Sequence, residues 1–137
     1  MTAATAALSR RASFSVMRLH HVNVVVPPGR TDDVVPFYGD VLGLRRVPKP
    51  THGVDPSGAW FDIDGSSQVH VSERDGGVHP QSHFGLVVDD FDGVLDRLRT
   101  AGASWEDQAD LFGGRRGFTR DPAGNRVEIL ERAGALT

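Results

Sequence analysis

The sequence predicts an α+β fold built from two βαβββ modules, and three observations carry that expectation. Two half-chain segments repeat each other: HVNVVV begins at His21 and HFGLVV at His83, 62 positions later. Each run is followed by a segment with helical spacing that ends near a glycine, DDVVPFYGDVLGL in the first half and FDGVLDRLRTAG in the second. Each half then closes with a two-strand pattern, GAWFDIDGSSQVHVSE and RGFTRDPAGNRVEILE. Fixed-period self-similarity is an architectural signal, and two copies are too few for a solenoid. At 137 residues the chain is long enough to join both modules around a proper core.

The elements follow in order. Residues 1–17 are small, polar and Arg-containing; they lack an apolar run long enough for secretion and read as a disordered leader. The first module occupies 18–75. Residues 19–26 are β-branched and bounded by Pro27-Pro28-Gly29, so they form a strand that ends in a turn. Thr31 or Asp32 is placed to cap a helix in which Val34, Val35, Phe37, Tyr38, Val41 and Leu42 recur at spacings of three and four. Pro36 falls early in that helix and Gly43 ends it. A strand around 44–47, a Pro/Gly-rich loop over 48–58, and a hairpin of 59–63 with 68–72 complete the module, with Asp64-Gly65 at the turn. The second module, 79–132, repeats this order: a strand over 83–88, a helix over 91–101 ending at Gly102, a strand near 104–106, and a hairpin over 117–131 that turns through Asp121–Asn125. Residues 133–137 read as a loose tail. The order predicts two curved mixed sheets, each with a helix on its outer face, around a cup-shaped site.

Composition excludes several classes of function. Fifteen basic and 18 acidic residues leave a net charge of −3, which offers no broad cationic surface for a nucleic-acid backbone. The absence of cysteine rules out disulfide staples, zinc ribbons and thiol nucleophiles, and fits a cytoplasmic location. No apolar stretch approaches the roughly 18 to 20 residues of a membrane span. Any metal must be held by His, Asp or Glu.

Strand parity then selects the candidate site. Side chains alternate between the faces of a strand, so Val69 and Val71 share one face while Gln68, His70 and Ser72 share the other. Likewise Val127 and Ile129 oppose Arg126, Glu128 and Leu130, and the stripe Phe84, Leu86, Val88 leaves His83 on the opposite face. The apolar faces need helices to cover them, so His21, His70, His83 and Glu128 all point to the concave side. Trp60 precedes His70 by ten residues and Phe118 precedes Glu128 by ten, placing His70 and Glu128 at equivalent points of equivalent hairpins. Three imidazoles and a carboxylate suit Zn, Fe, Ni, Co or Mn, and are too nitrogen-rich for Ca or Mg. Such an ion acts as a Lewis acid on substrate oxygen, with Glu128 or His70 positioned to move a proton. Parity adds Trp60, Gln68 and Arg120 to the pocket, and Phe118 and Phe112 are candidates for its apolar wall. The Gly113–Gly117 segment, GGRRG, lacks a Walker ending and reads as a loop from which Arg115 or Arg116 reaches an anionic substrate. His20 has the opposite parity to His21 and is assigned to packing or surface, while His52 and His79 fall in loops.

Taken together, HHVNVVV, VPFYGDVLGL, QVHVSE, SHFGLVVDD and FTRDPAGNRVEILE resemble the vicinal oxygen chelate superfamily. That superfamily includes glyoxalase I, methylmalonyl-CoA epimerase, extradiol dioxygenases, fosfomycin-resistance enzymes and bleomycin-binding proteins. The resemblance runs from Leu19 to Glu131, with FYxxxLGL and DPxGNxxE as its most specific signals. It implies paired βαβββ modules, a homodimer, and a divalent metal in a cup of sheet that binds a small-molecule substrate. His21 matches the ligand on the first strand, His83 the ligand opening the second module, and Glu128 the carboxylate on the last strand. His70 stands at the second ligand position, where glyoxalase I has Glu and the epimerase has Gln. Loss of that Glu removes a base of glyoxalase chemistry and argues against lactoylglutathione lyase activity. The resulting expectation is a metal-dependent enzyme of lyase or isomerase type; the alternatives are an extradiol-type dioxygenase and a metal-free protein that sequesters a small molecule.

Overall fold

The computed structural model describes residues 15–50 and 55–132. The leader up to residue 14, the tail 133–137 and His52 lie outside the described residues. Among the described residues eight strands form two four-stranded sheets. The first holds β1 (His21–Val26), β2 (Arg45–Val47), β3 (Ala59–Asp62) and β4 (Gln68–Glu73) in the order β1-β4-β3-β2. The second holds β5 (His83–Val87), β6 (Glu106–Gln108), β7 (Arg116–Arg120) and β8 (Arg126–Leu130) in the order β5-β8-β7-β6. In each sheet the first and last strands of the module pair parallel and the remaining pairs are antiparallel. The repeat in the sequence is thus a repeat in topology.

The first helical segment departs from the expected single helix. It opens as α1 (Thr31–Pro36) and continues as a wider π turn over Phe37–Val41, in which the Leu42 amide donates to the Phe37 carbonyl at 2.9 Å. Pro36 has no amide hydrogen and cannot supply an α-helical bond, and the wider turn follows directly after it. The expected cap is also corrected. Neither Thr31 nor Asp32 caps: Arg30 stands at the N-cap and makes no side-chain capping bond, and the Thr31 hydroxyl donates instead to Glu73 Oε2 at 2.6 Å. Gly43 does close the segment, with φ of 78°. In the second module α2 (Phe91–Thr100) is capped by Asp90, whose Oδ1 accepts from the Gly93 amide at 3.0 Å. The short β6 begins at Glu106, two residues later than the sequence pattern places it.

Parity holds for the apolar face of each sheet. Val24, Val26, Val69, Val71, Phe61, Leu86, Val127 and Ile129 bury one face of each sheet, and Val34, Phe37, Tyr38, Val94 and Leu98 from the helical segments join them in one core. Both modules therefore share a core, tied further by Asn125 Nδ2 donating to the Val25 carbonyl at 3.0 Å and by Arg97 Nε donating to the Val41 carbonyl at 2.8 Å. The other face of each sheet carries the candidate site residues. The edge strands β1 and β5 together line two grooves, of about 640 and 290 Å³, to which both modules contribute.

Candidate functional site

The four predicted donors come together as two pairs. On the first sheet, Trp60 (β3), His70 (β4) and His21 (β1) stack in sequence: the Trp60 and His70 ring centroids are 4.1 Å apart at 5°, and those of His70 and His21 are 4.1 Å apart at 21°. Register explains the stack, because Trp60 is the direct cross-strand partner of His70. His70 Nε2 lies 2.7 Å from Gln68 Oε1, so with Nε2–H as donor its Nδ1 keeps the lone pair. Burial, reinforced by the His21, His20 and Lys49 charges, lowers the His70 pKa to about 4. His70 is therefore a neutral imidazole at physiological pH. His20 contacts His21 edge-on, with the two Nδ1 atoms 3.0 Å apart, so it touches the site that parity had assigned it away from.

On the second sheet, His83 Nε2 lies 3.3 Å from Glu128 Oε1, and Arg116 Nη1 lies 3.3 Å from Glu128 Oε2. His83 Nδ1 is 3.0 Å from the Gln81 carbonyl, which can only accept. The Nδ1–H is fixed there, and Nε2 is left to face a carboxylate oxygen. A ring nitrogen and a carboxylate oxygen turned toward each other, with the far ring nitrogen held by a carbonyl, is an arrangement that a metal-ligating histidine shares with a histidine–carboxylate hydrogen bond. Phe118 meets the His83 ring edge-on at 4.9 Å, and the Arg126 guanidinium lies 3.5 Å above the Phe118 ring. Arg116 is anchored by Nε to the Ala109 carbonyl at 2.7 Å, and Arg120 donates to the Gly124 and Pro80 carbonyls.

Among the described residues no three His, Asp or Glu side chains converge on one point. His21 with His70 and His83 with Glu128 are two half-sites, and one chain by itself does not assemble the four-donor centre. The donor chemistry fits a borderline divalent ion, and the His83–Glu128 pair fits one by geometry. The nearly parallel His21 and His70 rings do not, because two ligands at right angles on one ion cannot be stacked; His21, which is exposed, must turn first. The GGRRG loop also differs from expectation: Arg115 is held by Asp92 and Glu131, and Arg116 by Glu128, so neither is a free anion contact. Sequence reasoning missed Arg126 although its parity with Glu128 was legible. It missed Gln81 for want of any signal, since a loop carbonyl has no sequence signature.

The family model of the Glyoxalase/Bleomycin resistance protein/Dioxygenase superfamily matches residues 18–129. The chain belongs to this superfamily. No curated protein matches the sequence. Among solved structures, a glyoxalase family protein from Bacillus anthracis is 25% identical with a TM-score of 0.78, covering 87% of this chain and 98% of its own. A lactoylglutathione lyase from Agrobacterium tumefaciens is 22% identical with a TM-score of 0.66, covering 85% and 94%. An antibiotic binding protein, TnmS3, from Streptomyces sp. CB03234 is 19% identical with a TM-score of 0.66, covering 85% and 97%. The superfamily thus includes both lyases and binding proteins, its members bind small molecules, and they often use divalent metals and often form dimers. Among the described residues no helix is long and apolar enough to cross a membrane.

Proposed function

We propose that this superfamily member is a metal-dependent enzyme acting on a small oxygenated substrate by proton transfer of lyase or isomerase type. The observation that carries the reading is His83: its tautomer is fixed by the Gln81 carbonyl so that Nε2 faces Glu128 Oε1 at 3.3 Å. His70, neutral through burial, supplies a second imidazole able to use its lone pair at pH 7. A divalent ion bound by these residues would supply Lewis acidity toward substrate oxygen. The chain's own residues do the rest. Arg116 holds the second oxygen of Glu128 and fixes the carboxylate in place. Glu128, buried beside Phe118, is the carboxylate positioned to take or return a substrate proton, and Trp60 and Phe118 keep water from the reacting face. Because each chain presents two donors on each sheet, the complete centre belongs to a homodimer in which the first-sheet half of one copy faces the second-sheet half of the other.

Metal analysis of protein purified without chelators tests this. A stoichiometric ion that is lost in both His83→Ala and Glu128→Ala, with the fold retained by circular dichroism, supports the reading; uptake that survives in both variants refutes it. A second reading, metal-free sequestration, is favoured by the Trp60–His70–His21 stack, whose aligned rings form an aromatic ridge suited to packing against an apolar or aromatic ligand. It predicts that a metabolite panel raises the melting temperature equally with and without metal.

A further inference from the structure

The open face of the second sheet carries two neighbouring guanidinium groups that, among the described residues, no carboxylate neutralises. His83, Arg126 and Arg120 are consecutive across β5, β8 and β7: His83 is the register partner of Arg126, and Arg126 that of Arg120. Like charges directly opposite on neighbouring strands repel, so a scaffold gains nothing from the Arg126–Arg120 pair. Among the described residues no carboxylate lies within ion-pair distance of either guanidinium. Both are nevertheless held in place. Arg126 lies 3.5 Å over Phe118 and donates to Gln81 Oε1 at 2.7 Å, while Arg120 donates to two backbone carbonyls. Neutral acceptors orient these guanidinium groups without cancelling their charge.

The internal repeat shows that the fold does not require this row. Its counterpart in the first module reads His21, Gln68, Asp62 and Arg45, with Asp62 and Arg45 pairing at 3.5 Å. The first-module row neutralises itself, whereas the second has arginine where the first has glutamine and aspartate. The nearest carboxylates on the same face are one row away and engaged: Glu128 with Arg116 and His83, and Glu106 with the Gln108 amide at 2.9 Å. Beside the row, His83 and Arg126 line the 290 Å³ groove together with Asn23 and Val25 of β1, a volume suited to a small ligand.

We propose that Arg126, with Arg120, is the anion anchor of the site, so that its substrate is a small organic anion bearing a carboxylate or phosphate at the end away from the reacting atoms. The planar guanidinium of Arg126, stiffened by Phe118 and Gln81, presents its free edge to two oxygens at once. The inference rests on the functional reading above for the location of the reacting centre, and its test does not depend on metal. Protein stripped of metal and then desalted from the chelator is titrated calorimetrically, at low salt, with succinate and with inorganic phosphate. Wild-type protein binds at least one of them, and the tighter of the two assigns the carboxylate or the phosphoryl class. Arg126→Gln weakens that binding at least tenfold, Arg120→Gln/Arg126→Gln abolishes it, Arg126→Lys falls between, and the surface control Arg99→Gln leaves it unchanged, all with wild-type circular dichroism. Equal binding by wild type and Arg126→Gln, or no binding by wild type at 10 mM of either anion (about the weakest affinity expected of a substrate anchor), overturns the proposal. Metal uptake lost or kept in the His83 and Glu128 variants bears only on the metal centre, so the two failures are distinguishable.

Discussion

Tyr38 in the first module donates its phenolic hydrogen to Asp121 Oδ2 in the second at 2.8 Å, across 83 positions of sequence. The tyrosine is fully buried and Asp121 is 4% exposed. Burial, together with the neighbouring aspartate charge and the hydrogen bond itself, raises the Tyr38 pKa well above its ordinary value, so the hydroxyl stays a donor. Asp121 in turn accepts from the Ala123 and Asn125 amides and from Asn125 Nδ2, which organises the DPAGN turn before β8. One carboxylate therefore sets both the module interface and the entry into the strand that carries Glu128.

Replacing Tyr38 by Phe keeps the ring and removes the donor to a charged acceptor. The expected loss is about 1.5–3 kcal/mol of unfolding free energy. Urea denaturation with an unchanged slope is the check, since a changed slope means that the compactness of a state has altered instead. A loss under half a kcal/mol would show that Ala123 and Asn125 satisfy Asp121 without the tyrosine.

Thr119 offers the opposite case. Its side chain sits at 0% exposure on the apolar face of β7, and among the described residues no partner reaches its oxygen. The first-module counterpart, 58 positions earlier, is the core residue Phe61, so the site is built for apolar contact. Thr119→Val preserves shape and removes an unsatisfied polar group, and we expect it to stabilise the protein by on the order of 1 kcal/mol, read as a higher urea midpoint. An unchanged or lower midpoint would mean that the hydroxyl has a partner in solution.

The parts of the site that were legible in the sequence are those governed by period. Alternation placed His70 opposite Val69 and Val71, and Glu128 opposite Val127 and Ile129, because one face of each strand had to be buried. The ten-residue offset from Trp60 to His70 became a register pair, as the hairpin turn demands. What no period encodes is the setting of one sheet against the other, so the division of the four donors into two pairs was invisible. The tautomer of His83 depends on a loop carbonyl, and the stack of three rings depends on rotamers; neither leaves a trace in spacing. The π turn was foreshadowed only by Pro36, whose missing amide was visible but whose consequence depends on how Tyr38 and Leu42 reach the shared core.

His70 gives the protein a stability that depends on acid. Its folded pKa is about 4 and its ordinary value 6.5, so as pH falls the unfolded chain takes up the proton first. The contribution is fully present above about pH 6.5 and is lost progressively toward pH 4, at up to about 1.4 kcal/mol per pH unit and on the order of 2–3 kcal/mol in all. In metal-free protein the urea midpoint should drop across this window, and His70→Gln should flatten that part of the profile. A His70 resonance that titrates near 6.5 by NMR would contradict the burial that the ring stack imposes.

The two half-sites also make a prediction about mixing. If each centre takes His21 and His70 from one copy and His83 and Glu128 from the other, His70→Ala protein and His83→Ala protein each lack a donor in both centres of their own dimers. In a mixed dimer the geometry is different: one centre combines both lesions and the other combines both intact halves. Two variants that separately fail to retain metal should therefore regain it when refolded together, in about a quarter of all centres for random exchange between symmetric dimers. Centres closed within one chain would gain nothing from mixing, because every chain would still carry its own lesion. Metal analysis of the co-refolded and the separately refolded proteins, with dimer formation confirmed by light scattering, decides between the two arrangements.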